Sequence, residues 1–469
     1  MKGLKFNLGL MLLLGLAFNV CAQTEMNTEA GKWNKLFGSK PNIIHILADD
    51  LGYDDITPYG AKGIKTPYID HLSKQGVKFT DFYAPSSVCT PSRAAILTGK
   101  YSYKVKGCEF ILFPHHDKGA DPEKETLISK VLKKSGYSTA LIGKWHMGSK
   151  EKYLPNNHGF DYFYGLPYCN DHGPERNALE KYGHAWPEIP LMENMDVIER
   201  PVDLFALPDN CTAKVLDFIE KNKDEPFFIH YANLETHTPW YIPERFQNKS
   251  EIGAYGDAVQ TLDWSVGQIL KKLEALNLLE NTLIVFSSDN GPLYATTTEF
   301  IKCYGEFGRV NVTREHFLRE GKGSAYFEGG DRVPAIFSWK GIIPKNTVTS
   351  EVAGGMDLFS TFAFLAGEDV SGLKEIDGKN ILPLLTDPET AQSPHECFFS
   401  FMSDKMYALR KGDWKLSIDH LGYVRLFNLK KDPGEKNDLA NINPDKMFEL
   451  IRLAEDKSIE MGFKVANYR

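Results

Sequence analysis

The 469-residue chain predicts an α/β fold: a large, mostly parallel sheet covered by helices on both faces, then a small antiparallel sheet closed by a last helix. Three observations carry this. Short continuous apolar runs alternate with helix-period stretches from Lys40 onward, the mark of strands buried on both sides. After Pro394 the runs become short and alternating, as in an antiparallel sheet with one solvated face. Four of the five main runs lead directly into polar clusters, as strands do at the ligand-binding edge of open α/β sheets.

Taken in order, Lys2 and Lys5, the apolar run Leu8 to Val20 and the small-residue site Val20-Cys21-Ala22 read as an export signal over 1–22, cut before Gln23. At about 13 residues the run is short for a membrane span. The chain is therefore expected to be periplasmic or secreted; a lipid anchor on Cys21 is the competing reading, and Phe18-Asn19-Val20 fits its cleavage box poorly. Residues 23–39 are polar, without period, and read as a mobile lead-in. Strands are expected at Ile43 to Ala48, Thr139 to Gly143, Pro226 to Ala232, Thr282 to Ser287 and Pro334 to Trp339. Helices are expected at Leu127 to Ser135, Ala213 to Lys221, Tyr255 to Leu276 and Leu358 to Ala366, the last capped by Asp357. This gives one large α/β domain over 40–393. Strands around Phe398 to Phe401, Tyr407 to Arg410, Trp414 to Ile418 and Tyr423 to Asn428, with a helix from Pro444 to Met461, make a C-terminal antiparallel subdomain over 394–469.

A net charge of −8 and a pI near 5.9 argue against nucleic-acid binding, and an anionic ligand would need a local cationic pocket. Beyond the leader no stretch approaches a membrane span. Of seven cysteines, those past Cys21 and Cys89 are widely spaced, with neither a disulfide framework nor a zinc pattern.

The segment Cys89-Thr90-Pro91-Ser92-Arg93-Ala94-Ala95-Ile96-Leu97-Thr98-Gly99 puts a thiol just before a helix that begins at Ser92-Arg93, where backbone N–H groups favour an anion. Asp49-Asp50 and Asp289-Asn290 each follow a strand. Together they offer three carboxylates and an amide oxygen, a hard oxygen set suited to Ca²⁺ or Mg²⁺ rather than zinc, and without a cation they would repel one another.

Cys-x-Pro-Ser-Arg with Leu-Thr-Gly at fixed spacing resembles the signature of the type I sulfatases. Further matches follow in family order: Pro41 to Gly52, Gly143-Lys144-Trp145-His146-Met147-Gly148, Thr236-His237-Thr238-Pro239, Ser287 to Gly291 and Gly321-Lys322-Gly323. The resemblance runs from about Lys40 to the C-terminal helix and is to arylsulfatase-A-like and bacterial carbohydrate sulfatases. It implies an alkaline-phosphatase-like α/β/α sandwich. It also implies that a separate maturation enzyme oxidises Cys89 to formylglycine, whose hydrate is the nucleophile, and that Ca²⁺ sits on Asp49, Asp50, Asp289, Asn290 and the modified Cys89. Lys144 and Lys322 would grip sulfate oxygens and Arg93 would hold the hydrate and metal shell. His237 would protonate the leaving oxygen and His146 would assist release.

One departure stands out. In Pro167-Tyr168-Cys169-Asn170-Asp171-His172, the place where arylsulfatase-A-like members commonly carry serine is Cys169, a weaker hydrogen-bond donor. It either lines the sulfate pocket or packs beneath it. Asn170, His172 and Arg176 are candidate substrate contacts. The irregular stretches Tyr153 to Pro208 and Leu293 to Glu320, with His184, Trp186, Arg309, Arg314 and His316, are either sugar-binding loops or solvated insertions. The expected substrate is a sulfated carbohydrate, first a galactose or N-acetylgalactosamine sulfate of host glycosaminoglycan, mucin or algal glycan. Hydrolysis of a phosphodiester or phosphonate monoester on the same fold is the alternative, and a non-catalytic glycan-binding descendant is a third.

Overall fold

A computed structural model of the chain describes residues 40–174, 185–293, 317–370, 372–373 and 375–469. The leader, the lead-in, Arg176, His184, Cys303, Arg309, Arg314 and His316 lie outside these residues. The centre of the molecule is β1 (Asn42–Ala48), buried at every position. Ile43 and Leu47 enter one apolar cluster while Ile44 and Ile46 enter another, because alternate strand side chains face opposite sides. Both faces therefore need cover, which explains the unbroken apolar runs.

The other strands of this sheet are β2 (Gly76–Tyr83), β3 (Ser138–Lys144), β4 (Tyr162–Leu166), β5 (Leu191–Glu193), β6 (Asp196–Glu199), β7 (Phe227–Ala232), β8 (Thr282–Ser288), β9 (Arg332–Ser338), β10 (Thr347–Thr349) and β11 (Ala353–Gly354). Their order is β10-β2-β9-β8-β1-β7-β3-β4-β5-β6, with β11 beside β2. The core strands β8, β1, β7, β3 and β4 are parallel. Strand β9 runs antiparallel to both β8 and β2, so the start of β9 lies at the same edge as the ends of its parallel neighbours. Strands β2, β4, β5, β6, β10 and β11 were not expected from the sequence; β4, β5 and β6 lie within the stretch read there as irregular, the last two as an edge hairpin.

Helices α1 (Pro67–Lys74), α2 (Cys89–Thr98), α3 (Ile128–Lys134), α4 (Leu207–Lys221), α5 (Ala254–Ala275), α6 (Glu328–Asp331), α7 (Asp357–Leu365), α8 (Leu382–Thr386) and α9 (Pro444–Met461) cover the strands. Leu97 of α2, Val131 of α3 and Phe359 of α7 join Leu47 on one face; Val215 of α4 and Leu262 of α5 join Ile44 on the other. Two expectations are corrected. Helix α2 begins at Cys89 itself, with Val88 as the extended residue before it, and every residue of α2 is buried. Asp357 is the first residue of α7 rather than its cap; its carboxylate accepts from the N–H groups of Gly354 and Lys379 and meets His395.

The second sheet, β12 (Phe398–Met402), β13 (Lys405–Lys411), β14 (Trp414–Ile418) and β15 (Val424–Asn428), is an antiparallel meander, with β16 (Lys464–Val465) added parallel to β13. Leu450 and Ala454 of α9 close it, and Tyr83, Tyr101, Tyr103 and Met356 of the main body share its core. Beside that core lies a buried charge network: Lys415 meets Glu328 and Glu435 at 2.9 Å each, and Arg410 pairs with Asp81 and Tyr83.

Candidate active site

Because β1 and β8 pair in register through Ala48 and Ser288, the dipeptides that follow them emerge side by side. The Asp289 N–H donates to the Ala48 carbonyl, and the Asp50 N–H donates to Oδ1 of Asp289. Asp50 takes a left-handed backbone, φ 61°, a conformation costly for a residue with a Cβ and concentrated at functional sites. Asp49, Asp50, Asp289 and Asn290 are all buried.

Three cations meet these three carboxylates. Lys144, at the end of β3, lies 2.7 Å from Asp49. Arg93 on α2 reaches Asp289 at 2.8 Å and Asp49 at 3.4 Å, and also donates to the Lys144 carbonyl. Lys322, just ahead of β9, lies 2.8 Å from Asp50 and 3.2 Å from Nε2 of His237. Its loop is stapled in place by the Lys322 and Gly323 N–H groups, which donate to the carbonyls of Pro292 and Ser87. The antiparallel β9 is thus what brings Lys322 to an edge otherwise made of strand ends.

Burial raises Asp49, but the charges of Lys144, His237, Arg93 and Lys322 overcome it and hold the carboxyl well below its usual range. Asp289 goes the other way: burial, with the charge of Asp49, pushes it up to about 7. Two adjacent carboxylates driven apart in this way lack positive charge. Oδ1 of Asn290 is buried without a hydrogen-bond partner, while its amide donates to Asp50 at 2.7 Å. A carboxylate held half-protonated and an orphaned amide oxygen are what a hard divalent cation would satisfy, so this donor set fits one. Cys89 belongs to the same cluster: Asp49, Asp50, Cys89 and His237 each bring a ligand atom within 4.8 Å of the others. Its Sγ lies 3.7 Å from Asp49 and 3.8 Å from Asp50. Burial pushes the thiol up to about 12, so the unmodified side chain is a poor nucleophile near neutrality.

Nδ1 of His237 donates to the Thr238 carbonyl at 2.6 Å, which leaves Nε2 toward Lys322 and Asp50. Burial and Lys322 lower this imidazole, against the pull of Asp50. Cys169 faces the site: its Sγ is 3.3 Å from Nε2 of His237. Nε2 of His146 bonds the Leu112 carbonyl at 2.9 Å, while its Nδ1 has no hydrogen-bond partner. His146 also has a left-handed backbone, φ 62°. Burial and Lys144 hold it neutral.

Asn170 is spent on structure, donating to the carbonyls of His237 and Pro239. His172 is buried in a ring cluster with Phe113, Trp186 and His146, at centroid distances of 5.2, 5.2 and 5.3 Å. Phe113, His115 and His116 pack ring against ring, and Phe113 and His115 meet Trp186 edge to face, so they form this wall too. Sequence reading missed them, since the segment around Phe113 has neither period nor motif.

A family model of the sulfatases matches residues 41–368. Human arylsulfatase A is 34% identical over 90% of this chain and 89% of its own. Human N-acetylgalactosamine-6-sulfatase is 31% identical over 88% and 84%. Among solved structures, Ps i-CgsB in complex with k-i-k-neocarrahexaose superposes with a TM-score of 0.74 at 32% identity, over 90% of this chain and 93% of that one. No helix among the described residues is long and apolar enough to cross a membrane. A family model matched over most of the chain, and relatives matched along nearly their whole length, lead to one conclusion: the chain belongs to the sulfatase family and is a sulfatase.

Proposed function

We propose that this sulfatase releases sulfate from a sulfated carbohydrate, first a galactose or N-acetylgalactosamine sulfate, using formylglycine made from Cys89 by a maturation enzyme and Ca²⁺ held by Asp49, Asp50, Asp289, Asn290 and the modified Cys89. The observation that carries the reading is the meeting of Arg93, Lys144 and Lys322 with those carboxylates around Cys89. The neocarrahexaose complex of a similar protein supports a sugar over an aryl ester. In this reading the formylglycine hydrate supplies the nucleophile and the metal neutralises the carboxylates and polarises the sulfate.

The chain's own groups do the rest. A sulfate monoester is anionic, and charge grows on its bridging oxygen as the S–O bond breaks, so catalysis needs cations and a proton. Lys144 and Lys322 bind the sulfate oxygens, and Arg93 orients Asp49 and Asp289. His237 presents Nε2 because Thr238 fixes Nδ1. The entering anion favours the imidazolium form, so the proton for the leaving oxygen is held at Nε2. Nδ1 of His146, unpartnered in the site, is positioned to take a proton. His172 belongs to the substrate wall, Arg176 is a candidate substrate contact from the sequence alone, and Asn170 shapes the loop that carries His237. We read 40–393 as the catalytic domain and 394–469 as the subdomain that buttresses it. The leader 1–22 directs export to the periplasm or beyond, and 23–39 is the lead-in.

The test is sulfate release from positional isomers of sulfated mono- and disaccharides, by protein co-produced with a maturation enzyme and supplied with calcium. Activity on one isomer, lost in Cys89→Ala with the fold intact, is expected. Undiminished release by Cys89→Ala would overturn the nucleophile, and faster turnover of a phosphodiester than of any sulfate would favour the phosphoryl alternative.

A further inference from the structure

The side chain whose chemistry departs most from this oxygen-rich site is Cys169. Its Sγ lies 3.3 Å from Nε2 and 3.4 Å from Nδ1 of His237 and 3.3 Å from Oδ1 of Asn170. Cys169, Asp171 and His237 each bring a ligand atom within 4.8 Å of the others. Thiolate, imidazole and carboxylate are the three donor types of tetrahedral zinc sites. The neighbouring cluster of Asp49, Asp50, Asp289 and Asn290 is made instead of the oxygens that hard cations take. The two clusters thus meet at His237 and differ in softness.

We propose that Cys169, His237 and Asp171 form a second, thiophilic metal site that takes zinc and, when filled, shuts off sulfate release. Thr238 engages Nδ1 of His237, so Nε2 is the ligand atom. A metal there removes the nitrogen that faces Lys322 and the leaving oxygen. Binding exchanges the Cys169 S–H bond for an S–Zn bond and gives one proton to solvent. The ammonium groups of Lys144 and Lys322 lie against Asp49 and Asp50, and those carboxylates offset their repulsion of an incoming cation. A hydroxyl at this place would be a poor zinc ligand, so the site depends on the thiol. Only the effect on turnover rests on the sulfatase reading; metal binding does not.

The test separates the two. Calcium-loaded Cys89→Ala protein, which lacks the other thiol of the site, is titrated with Co²⁺ as a spectroscopic probe and with Zn²⁺ by equilibrium dialysis. One ion per chain and a thiolate-to-cobalt charge-transfer band are expected, the band disappearing when Cys169→Ser is added. In matured enzyme, zinc should inhibit sulfate release reversibly by chelator with calcium restored, and Cys169→Ser should raise the half-inhibiting zinc concentration by at least about tenfold. Binding without the band places the ion on the oxygen cluster and overturns the proposal, as does equal zinc inhibition in Cys169→Ser. Absence of sulfate release before any zinc is added counts against the sulfatase reading alone.

Discussion

The split between Asp49 and Asp289 makes calcium affinity a function of pH. Burial and Asp49 raise Asp289 from an ordinary 3.8 to about 7, and a protonated carboxyl cannot hold the ion. Below about pH 7, calcium affinity should therefore fall about tenfold per pH unit, and above it the affinity should level off. From pH 7, where the carboxyl is half protonated, to pH 5 the loss is about 50-fold, or about 2.3 kcal/mol of calcium-derived stability with the ion in excess. The sign follows from linkage. A carboxyl raised on folding keeps a proton that the unfolded chain loses, so ion-free stability declines as pH rises from about 4 to about 7, and saturating calcium, which keeps the folded carboxyl ionised, cancels that decline. Asp49 is depressed instead; its contribution is present above its unfolded value and is lost only at more acid pH, below the window measured. Calorimetric calcium titrations at pH 5, 6, 7 and 8, with melting curves in calcium and in chelator, read both quantities. Asp289→Asn keeps an oxygen donor but cannot titrate, so its binding should be weaker and flat. An affinity independent of pH in the parent protein, or an unchanged slope in Asp289→Asn, refutes the argument.

Three further outcomes are expected. His237→Ala should lower turnover of sugar sulfates by about 10²- to 10⁴-fold and of activated aryl sulfates much less, since a good leaving group needs no proton; equal losses on both would remove the general-acid role. Lys415→Met leaves Glu328 and Glu435 facing each other in the interior, and denaturant titration should show a loss of about 3–5 kcal/mol, partly recovered by adding Glu435→Gln. A loss under about 1 kcal/mol would mean that water or relaxation supplies the missing partner. Gly165 has φ 149° and a Cβ built there would lie 1.9 Å from the Gly143 carbonyl oxygen, so Gly165→Ala should cost about 3 kcal/mol or more, and an unshifted melting temperature would show that β3 and β4 can part cheaply.

Much of this was legible in the chain itself. Runs such as Ile43 to Ala48 and Thr282 to Ser287 mark strands to within a residue, because a strand buried on both faces admits few polar side chains, and those it does admit, such as His45 and Ser287, bond each other at 2.9 Å. The Asp and Asn pairs were legible for the same reason: they stand where the apolar run stops, although they are themselves buried. The direction of β9 was not, since an apolar run carries no sign of polarity, and β2, with Lys78, Thr80 and Asp81 at half-buried or sheltered positions, lacks the unbroken apolar signature. Phe113, His115 and His116 meet Trp186 and His172 only through tertiary folding, which local spacing does not encode. The orientation of Cys169 likewise depends on where the Thr236-His237-Thr238 turn lands.

The stretch that carries Lys322 is held at its far side by the smaller sheet. Arg319 donates to the Glu435 carbonyl, the Glu328 N–H to the Glu435 carboxylate, and Ser417 to the Tyr326 carbonyl, while Lys415 closes on Glu328. The stretch that positions a sulfate-binding ammonium is thus scaffolded by residues 87 to 116 positions downstream of their partners. Miniaturising the enzyme by trimming its last seventy-odd residues would therefore unmoor the pocket as well as bare an apolar face. Grafting a foreign C-terminal module would succeed only if the graft brought its own counterparts of Lys415 and Glu435.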